Sequence, residues 1–178
     1  MRIGLLADTH IPEVAEKIPP ELIETFRGVN LIIHAGDVYS SSVLDDLECI
    51  APVIVARGDD DDGDIRLDKR VKPKQILNME GQKLLVVHER PFTLRFPEEP
   101  FSLMFPPWQD KMVAEHGNDG LPDIYIFGHE HHPVVEHVEN ILFINPGSPT
   151  FLNYHRGLGT VAILDINSGE ANVRIVQL

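Results

Sequence analysis

Short apolar runs bounded by polar residues dominate this chain, and their order predicts a fold. "RIGLLA" (2–7), "NLIIHA" (30–35) and "PVIVA" (52–56) read as buried strands, because each run is short and closed by polar residues. Two helical patterns lie between and beside them. "PPELIETFRG" (19–28) starts on Pro19 and Pro20, carries apolar residues at 22, 23 and 26, and stops at Gly28. "SSVLDDLECI" (41–50) offers Ser41 or Ser42 as its cap. This alternation implies βαβ units and a largely parallel first sheet.

Past residue 70 the pattern changes to hairpins. "KQILNMEGQKLLVVHE" turns at Glu80-Gly81, "PVVEHVENILFINP" near Glu139-Asn140 and "TVAILDINSGEANVRIVQL" near Ser168-Gly169; "PDIYIFG" adds another buried strand. The expected fold class is α/β, with two mixed β-sheets packed as a sandwich flanked by helices, in a single domain over 1–178. One stretch resists this pattern. "ERPFTLRFPEEPFSLMFPPW" carries five prolines and four phenylalanines, so it cannot be regular throughout, and a loop this long is usually functional. From Pro91 to Trp108 it is a candidate lid or subunit contact, and "QDKMVAEHG" after it predicts a short helix ended by Gly117.

Composition narrows the function classes. At 178 residues, 43% hydrophobic and 24% charged, the chain has the profile of one soluble globular domain. The lone Cys49 excludes an internal disulfide and thiolate zinc chemistry. "IGLLA" is stopped by Asp8, too early for a signal peptide or membrane span, so a cytoplasmic protein without membrane contact is expected. A net charge of −13 opposes gripping a nucleic-acid duplex. It leaves a small anionic substrate open, because bound divalent metals reverse the local potential.

The chemistry gathers at the strand ends. The first strand closes in Asp8-Thr9-His10, the second in Gly36-Asp37, the third in Gly58-Asp59, "KLLVVHE" in His88, and "DIYIFG" in His129-Glu130-His131. Ligands of such sheets bind outside the carboxyl ends of the strands, so these five tips are expected to converge. Asp8 and His10, like His129 and His131, are two apart and point to one side of an extended backbone. Mixed imidazole and carboxylate ligands suit Mn, Fe, Ni or Zn. One ion takes roughly four to six ligands. Seven candidates with a carboxylate free to bridge fit two ions.

"ADTH", "HAGDV", "VARGDDD", "VVHE", "GHEHHP" and "INPGSPT" resemble the successive motifs of the calcineurin-like metallophosphoesterases, most closely their compact phosphodiesterase subgroup. The resemblance covers nearly the whole chain. It implies a four-layer sandwich with a dinuclear centre of two divalent metal ions, manganese foremost, with nickel, iron or zinc as alternatives. It also implies a metal-bridging hydroxide that attacks a small phosphodiester or nucleotide-like substrate, the two ions lying about 3.5–4 Å apart. Carried over by position, Asp8, His10 and His131 look like ligands of the first ion, His88, His129 and Asp59 of the second, and Asp37 the bridge. Asp59 stands where the family usually has Asn, and Asp61 at its usual acidic position reads as a supporting or capping residue. Asp62 and Asp64 read as solvated.

Two further departures mark this chain. Asp60 replaces the His with which many members protonate the leaving group, which makes His132 a candidate proton donor. Glu89 and Arg90 follow His88 where Gly is common, and Arg90 is a candidate substrate-phosphate ligand. His34 reads as a core or supporting residue, and "NPGS" (145–148) as a tight turn under the site. His116, His137 and His155 read as surface residues. Family habit and the aromatic loop suggest a homodimer. The alternative function is a non-catalytic protein-binding scaffold like the small retromer subunit, which shares the fold.

Overall fold

A computed structural model describes residues 1–90, 120–152 and 155–178 of the chain. The expected lid or subunit contact at 91–108 and the helix at 109–117 lie outside the described residues. Strands β1 (Arg2–Leu6), β2 (Leu31–His34), β3 (Val53–Ala56) and β4 (Val71–Lys72) run parallel to one another. Antiparallel strands β12 (Thr160–Asn167) and β13 (Glu170–Gln177) extend this sheet beyond β1, giving the order β13-β12-β1-β2-β3-β4. The second sheet holds β5 (Gln75–Met79), β6 (Gln82–Val86), β7 (Ile124–Ile126), β8 (Pro133–Val138) and β9 (Ile141–Pro146) in the order β5-β6-β7-β9-β8. Its central pairs, β6 with β7 and β7 with β9, are parallel, and its outer pairs are antiparallel. Both sheets are mixed, and the fold is an α/β sandwich.

The continuous apolar runs follow from this layering. Ile3, Leu5, Leu31 and Ile33 point between the sheets and meet Leu84, Val86, Ile124, Ile126 and Ile144. Their neighbours Leu6 and Ile32 point outward to Leu22 and Phe26, and to Val43, Leu44 and Leu47. These come from α1 (Pro20–Thr25) with Phe26 at its C-terminal end, and from α2 (Ser41–Glu48). A central strand covered on both faces has no solvent side, so its sequence cannot alternate. Gly4 fits the same packing: a side chain there would begin 3.0 Å from the Phe26 ring. The far face of the second sheet buries Leu85, Tyr125, Phe127 and Phe143. Among the described residues, no helix is long and apolar enough to cross a membrane.

Local chemistry sets the element ends. The cap of α2 is Ser40, one residue before the expected pair, because its backbone is still extended and its hydroxyl accepts from the Ser42 amide at 3.3 Å. Glu80-Gly81 and Ser168-Gly169 place both central residues in the left-handed region, as tight two-residue hairpins require. A small ladder of β10 (Phe151–Leu152) and β11 (His155–Arg156) was not expected, since two-residue strands carry no readable periodicity.

Candidate metal centre

Five loops leave the carboxyl ends of β1, β2, β3, β6 and β7 and meet at one end of the sandwich. Ligand-type atoms of Asp8, His10, Asp37 and His131 lie within 4.8 Å of one another, as do those of Asp59, His88 and His129. Asp37 joins the two groups: its Oδ2 is 3.7 Å from Nε2 of His10 and 3.4 Å from Nε2 of His88. All seven expected ligands are therefore brought together, in the expected three-plus-three arrangement around Asp37. The halves differ in exposure. Asp8, His10 and Asp37 are buried, whereas the Asp59 and His129 side chains are about half exposed, at 50% and 49%.

The backbone at this end is bent where side chains converge. Asp8, His10, Asp37, Tyr39, His129 and His131 all take positive φ, between 45° and 78°. That region is costly for residues with a Cβ and persists where the surroundings enforce it. The acidic run supplies part of the enforcement. The Asp61 carboxylate, 2% exposed, accepts from the amides of Asp37, Val38, Tyr39 and Gly58 at 2.7–3.1 Å. Gly58 is obligatory beside it, since a Cβ there would sit 2.0 Å from Oδ1 of Asp37.

The other acids of the run have separate tasks. Asp59 faces His88 and His129. Asp60 accepts from the Tyr39 hydroxyl, and Asp62 pairs with Arg66 at the surface. Asp64 was expected to be only solvated, but its carboxylate accepts from the Ser41 amide at the start of α2, which holds its pKa below the usual range.

Hydrogen bonds fix which imidazole nitrogens face the centre. Nδ1 of His88 donates to the Ala35 carbonyl at 2.8 Å, leaving Nε2 toward Asp37 and Asp59. Fully buried His34 accepts from the Gly36 amide at Nδ1, so its Nε2–H donates to the Thr9 hydroxyl at 3.1 Å. That hydroxyl in turn reaches the Asp37 carbonyl. Under the site, Ser148 and Thr150 donate to the carbonyls of Asp8 and Thr9, and Asn145 clamps the Gly128 carbonyl and the Gly147 amide. His137 and His155 are exposed, as expected.

The donor set calls for cations. Oδ2 of Asp8 is buried among the described residues without a hydrogen-bond partner. Burial, outweighing the nearby His88 charge, pushes its carboxyl up to about 8. Burial acts to lower His88, but its hydrogen bond to Asp37 and the charges of Asp37 and Asp8 raise it to about 9. Burial lowers both His10 and His131, whose Nε2 atoms face each other at 3.1 Å. A dication supplies what each of these groups lacks, so the residues present fit the metals that the sequence implies.

A pH dependence follows. In the metal-free protein, Asp8 keeps its proton up to about pH 8 and His88 up to about pH 9. Both must be released on loading, so metal affinity should climb as pH rises toward 9 and level off above it. Titration calorimetry in buffers of different ionisation heat should show net proton release at pH 7 and little at pH 9.5.

Two further candidates face elsewhere. His132 lies outside both groups; its Nδ1 is 3.0 Å from the Glu130 carbonyl and its Nε2 3.7 Å from the Glu130 carboxylate. Arg90, the candidate substrate-phosphate ligand, has its guanidinium drawn in against Glu130 and Glu136. Two rings that the sequence reading missed wall the centre. Phe151 stacks on His131 at 4.8 Å and Tyr39 stands edge-on to His10 at 4.7 Å. Their nearness to the "GD" and "NPGS" motifs was the only available signal.

Comparisons with known proteins agree with this geometry. A family model described as the calcineurin-like phosphoesterase superfamily domain matches residues 1–169. A probable metallophosphoesterase of Methanothermobacter thermautotrophicus is 31% identical over 150 residues, which is 84% of this chain and 78% of the relative. A phosphodiesterase of Methanocaldococcus jannaschii is 28% identical over 172 residues, covering 96% of each chain. The crystal structure of wild-type Vps29 from Entamoeba histolytica, complexed with Zn2+, superposes with a TM-score of 0.69 over 99% of both chains at 18% identity, a likeness of fold alone. With the family domain matching almost end to end and its characteristic acids and imidazoles converging on one site, the chain belongs to the calcineurin-like phosphoesterase superfamily and is a metal-dependent phosphoesterase.

Proposed function

We propose that the protein is a two-metal phosphodiesterase acting on a small phosphodiester or nucleotide-like substrate, with manganese as the working metal. The observation that carries this reading is the pair of ligand groups sharing Asp37. The phosphodiesterase relative adds support for a diester substrate. Bound dications supply charge opposite the phosphoryl oxygens and a lowered pKa for water.

The chain's own residues set the geometry. Asp37 stands between both halves, and Asp61 holds its backbone in place through the amides of Asp37, Val38 and Tyr39 and ties it to the Gly58 amide. Asp8, His10 and His131 form the more buried half; Asp59, His88 and His129 form the half that a substrate reaches, because two of the three are about half exposed. We assign leaving-group protonation to solvent, since Asp60 is engaged by Tyr39 and both His132 nitrogens face Glu130. This favours diesters whose leaving groups are already stable anions.

The test is metal analysis of the purified protein, followed by assay of a chromogenic phosphodiester and the matching monoester with Mn2+ or EDTA. Hydrolysis should depend on metal and favour the diester. The competing reading, a non-catalytic scaffold, draws on the fold likeness to Vps29. Inertness toward both esters with metal bound would establish it over the enzyme.

A further inference from the structure

Arg90 follows His88 by two residues and turns back into the protein. Only 9% of its side-chain surface is exposed. Its Nε meets Oε1 of Glu130, Nη1 lies 3.5 Å from Oε1 of Glu136, and Cζ stands 5.4 Å from the centre of the Phe127 ring. A guanidinium at this depth is costly unless carboxylates face it, and here two do.

Glu130 is the middle residue of the His129–His131 pair, and its neighbours belong to opposite groups of the centre. The set of its backbone therefore governs both. His129 and His131 hold φ of 69° and 55°, a bend that needs an anchor. The Glu130 amide donates to the Gly128 carbonyl, and the Gly128 amide to the His88 carbonyl. The ion pair thus closes a ring that starts at His88 and returns two residues later at Arg90; it carries His88 and His129 of one group, and His131 of the other follows directly on Glu130.

We propose that Arg90 is a positioning residue that, through Glu130, sets the angle at which His129 and His131 face the two metal groups. The inference rests on the metal centre proposed above. A planar fork suits such a brace better than a mobile ammonium, because it orients the carboxylate as well as attracting it.

The test uses Arg90→Met, Arg90→Lys and Glu130→Gln in the full chain. Mn2+ binding is followed by calorimetry and by the EPR spectrum of the loaded protein, and melting in EDTA reports the fold. Arg90→Met should weaken Mn2+ binding by about 10- to 100-fold and change the spectrum. Glu130→Gln should move both in the same direction, and Arg90→Lys should recover part of the loss. The KM for a chromogenic diester at saturating Mn2+ should not change.

Wild-type Mn2+ binding and an unaltered spectrum in Arg90→Met and Glu130→Gln would overturn the inference. If KM alone rises, the guanidinium serves the substrate instead. Should Arg90→Met fail to fold, the other two variants decide by the same readings. A wild-type protein that binds no Mn2+ would remove the metal centre itself, a failure distinct from that of the brace.

Discussion

Asp37→Asn is expected to lower turnover of a chromogenic phosphodiester by about a thousandfold while leaving the fold intact. The side chain stands between the two halves of the site, with Oδ2 reaching His10 on one side and His88 on the other. Asparagine keeps the size, and its carbonyl can still accept from the Asp60 amide as Oδ1 does now at 3.2 Å. What it removes is the charge. Hydrogen bonding and charge from His88 outweigh burial and hold the Asp37 carboxyl below its usual range, so it is anionic at every working pH. An amide there cannot serve two cations as a shared anion. Wild-type circular dichroism combined with lost turnover and reduced metal content would match this account. Undiminished turnover would show that the carboxylate is not shared.

The second large effect concerns stability. Asp8, His10, Asp37 and Asp59 leave the first sheet, and His88, His129 and His131 leave the second. An ion ligated from both sheets binds only while the sandwich is assembled, so its binding free energy adds to that of folding. At a free metal concentration of a thousand times Kd, the gain is about 4 kcal/mol. For a domain of this size it corresponds to a rise in Tm of about 8–16 °C. Melting with excess Mn2+ against EDTA measures it directly. The pH sign is fixed by Asp8 and His88, whose protons compete with metal below about pH 8 and 9 respectively. The stabilisation should therefore be larger at pH 8.5 than at pH 6.5, and equal melting with and without metal would exclude a cross-sheet site.

The sandwich and the convergence of its candidate ligands were legible in the sequence for one reason. A strand buried on both faces reads as an unbroken apolar run, and the first acid or imidazole after it marks where the chain leaves the core. Asp8, Asp37, Asp59, His88 and His129 are all found this way. What was not legible depends on where a side chain points once the loops have folded. Asp61 and Asp62 stand as read, one gathering amides in the interior and the other at the surface, but Asp64, read as solvated, turns its carboxylate to the Ser41 amide at the start of α2. Arg90 follows the same logic, because a cation beside a metal ligand suggests a phosphate until Glu130 and Glu136 are found around it. Ser40 capped α2 in place of Ser41 because capping depends on the backbone angles at the helix entrance.

The unequal exposure of the two halves has its own consequence. An ion held by Asp8, His10 and His131 is walled in by Phe151 and Tyr39 and would leave slowly. One held by Asp59, His88 and His129 has open water beside it and would trade with whatever the medium supplies. The pair would then be half permanent and half negotiable, so that brief metal scarcity would silence the protein without dismantling it.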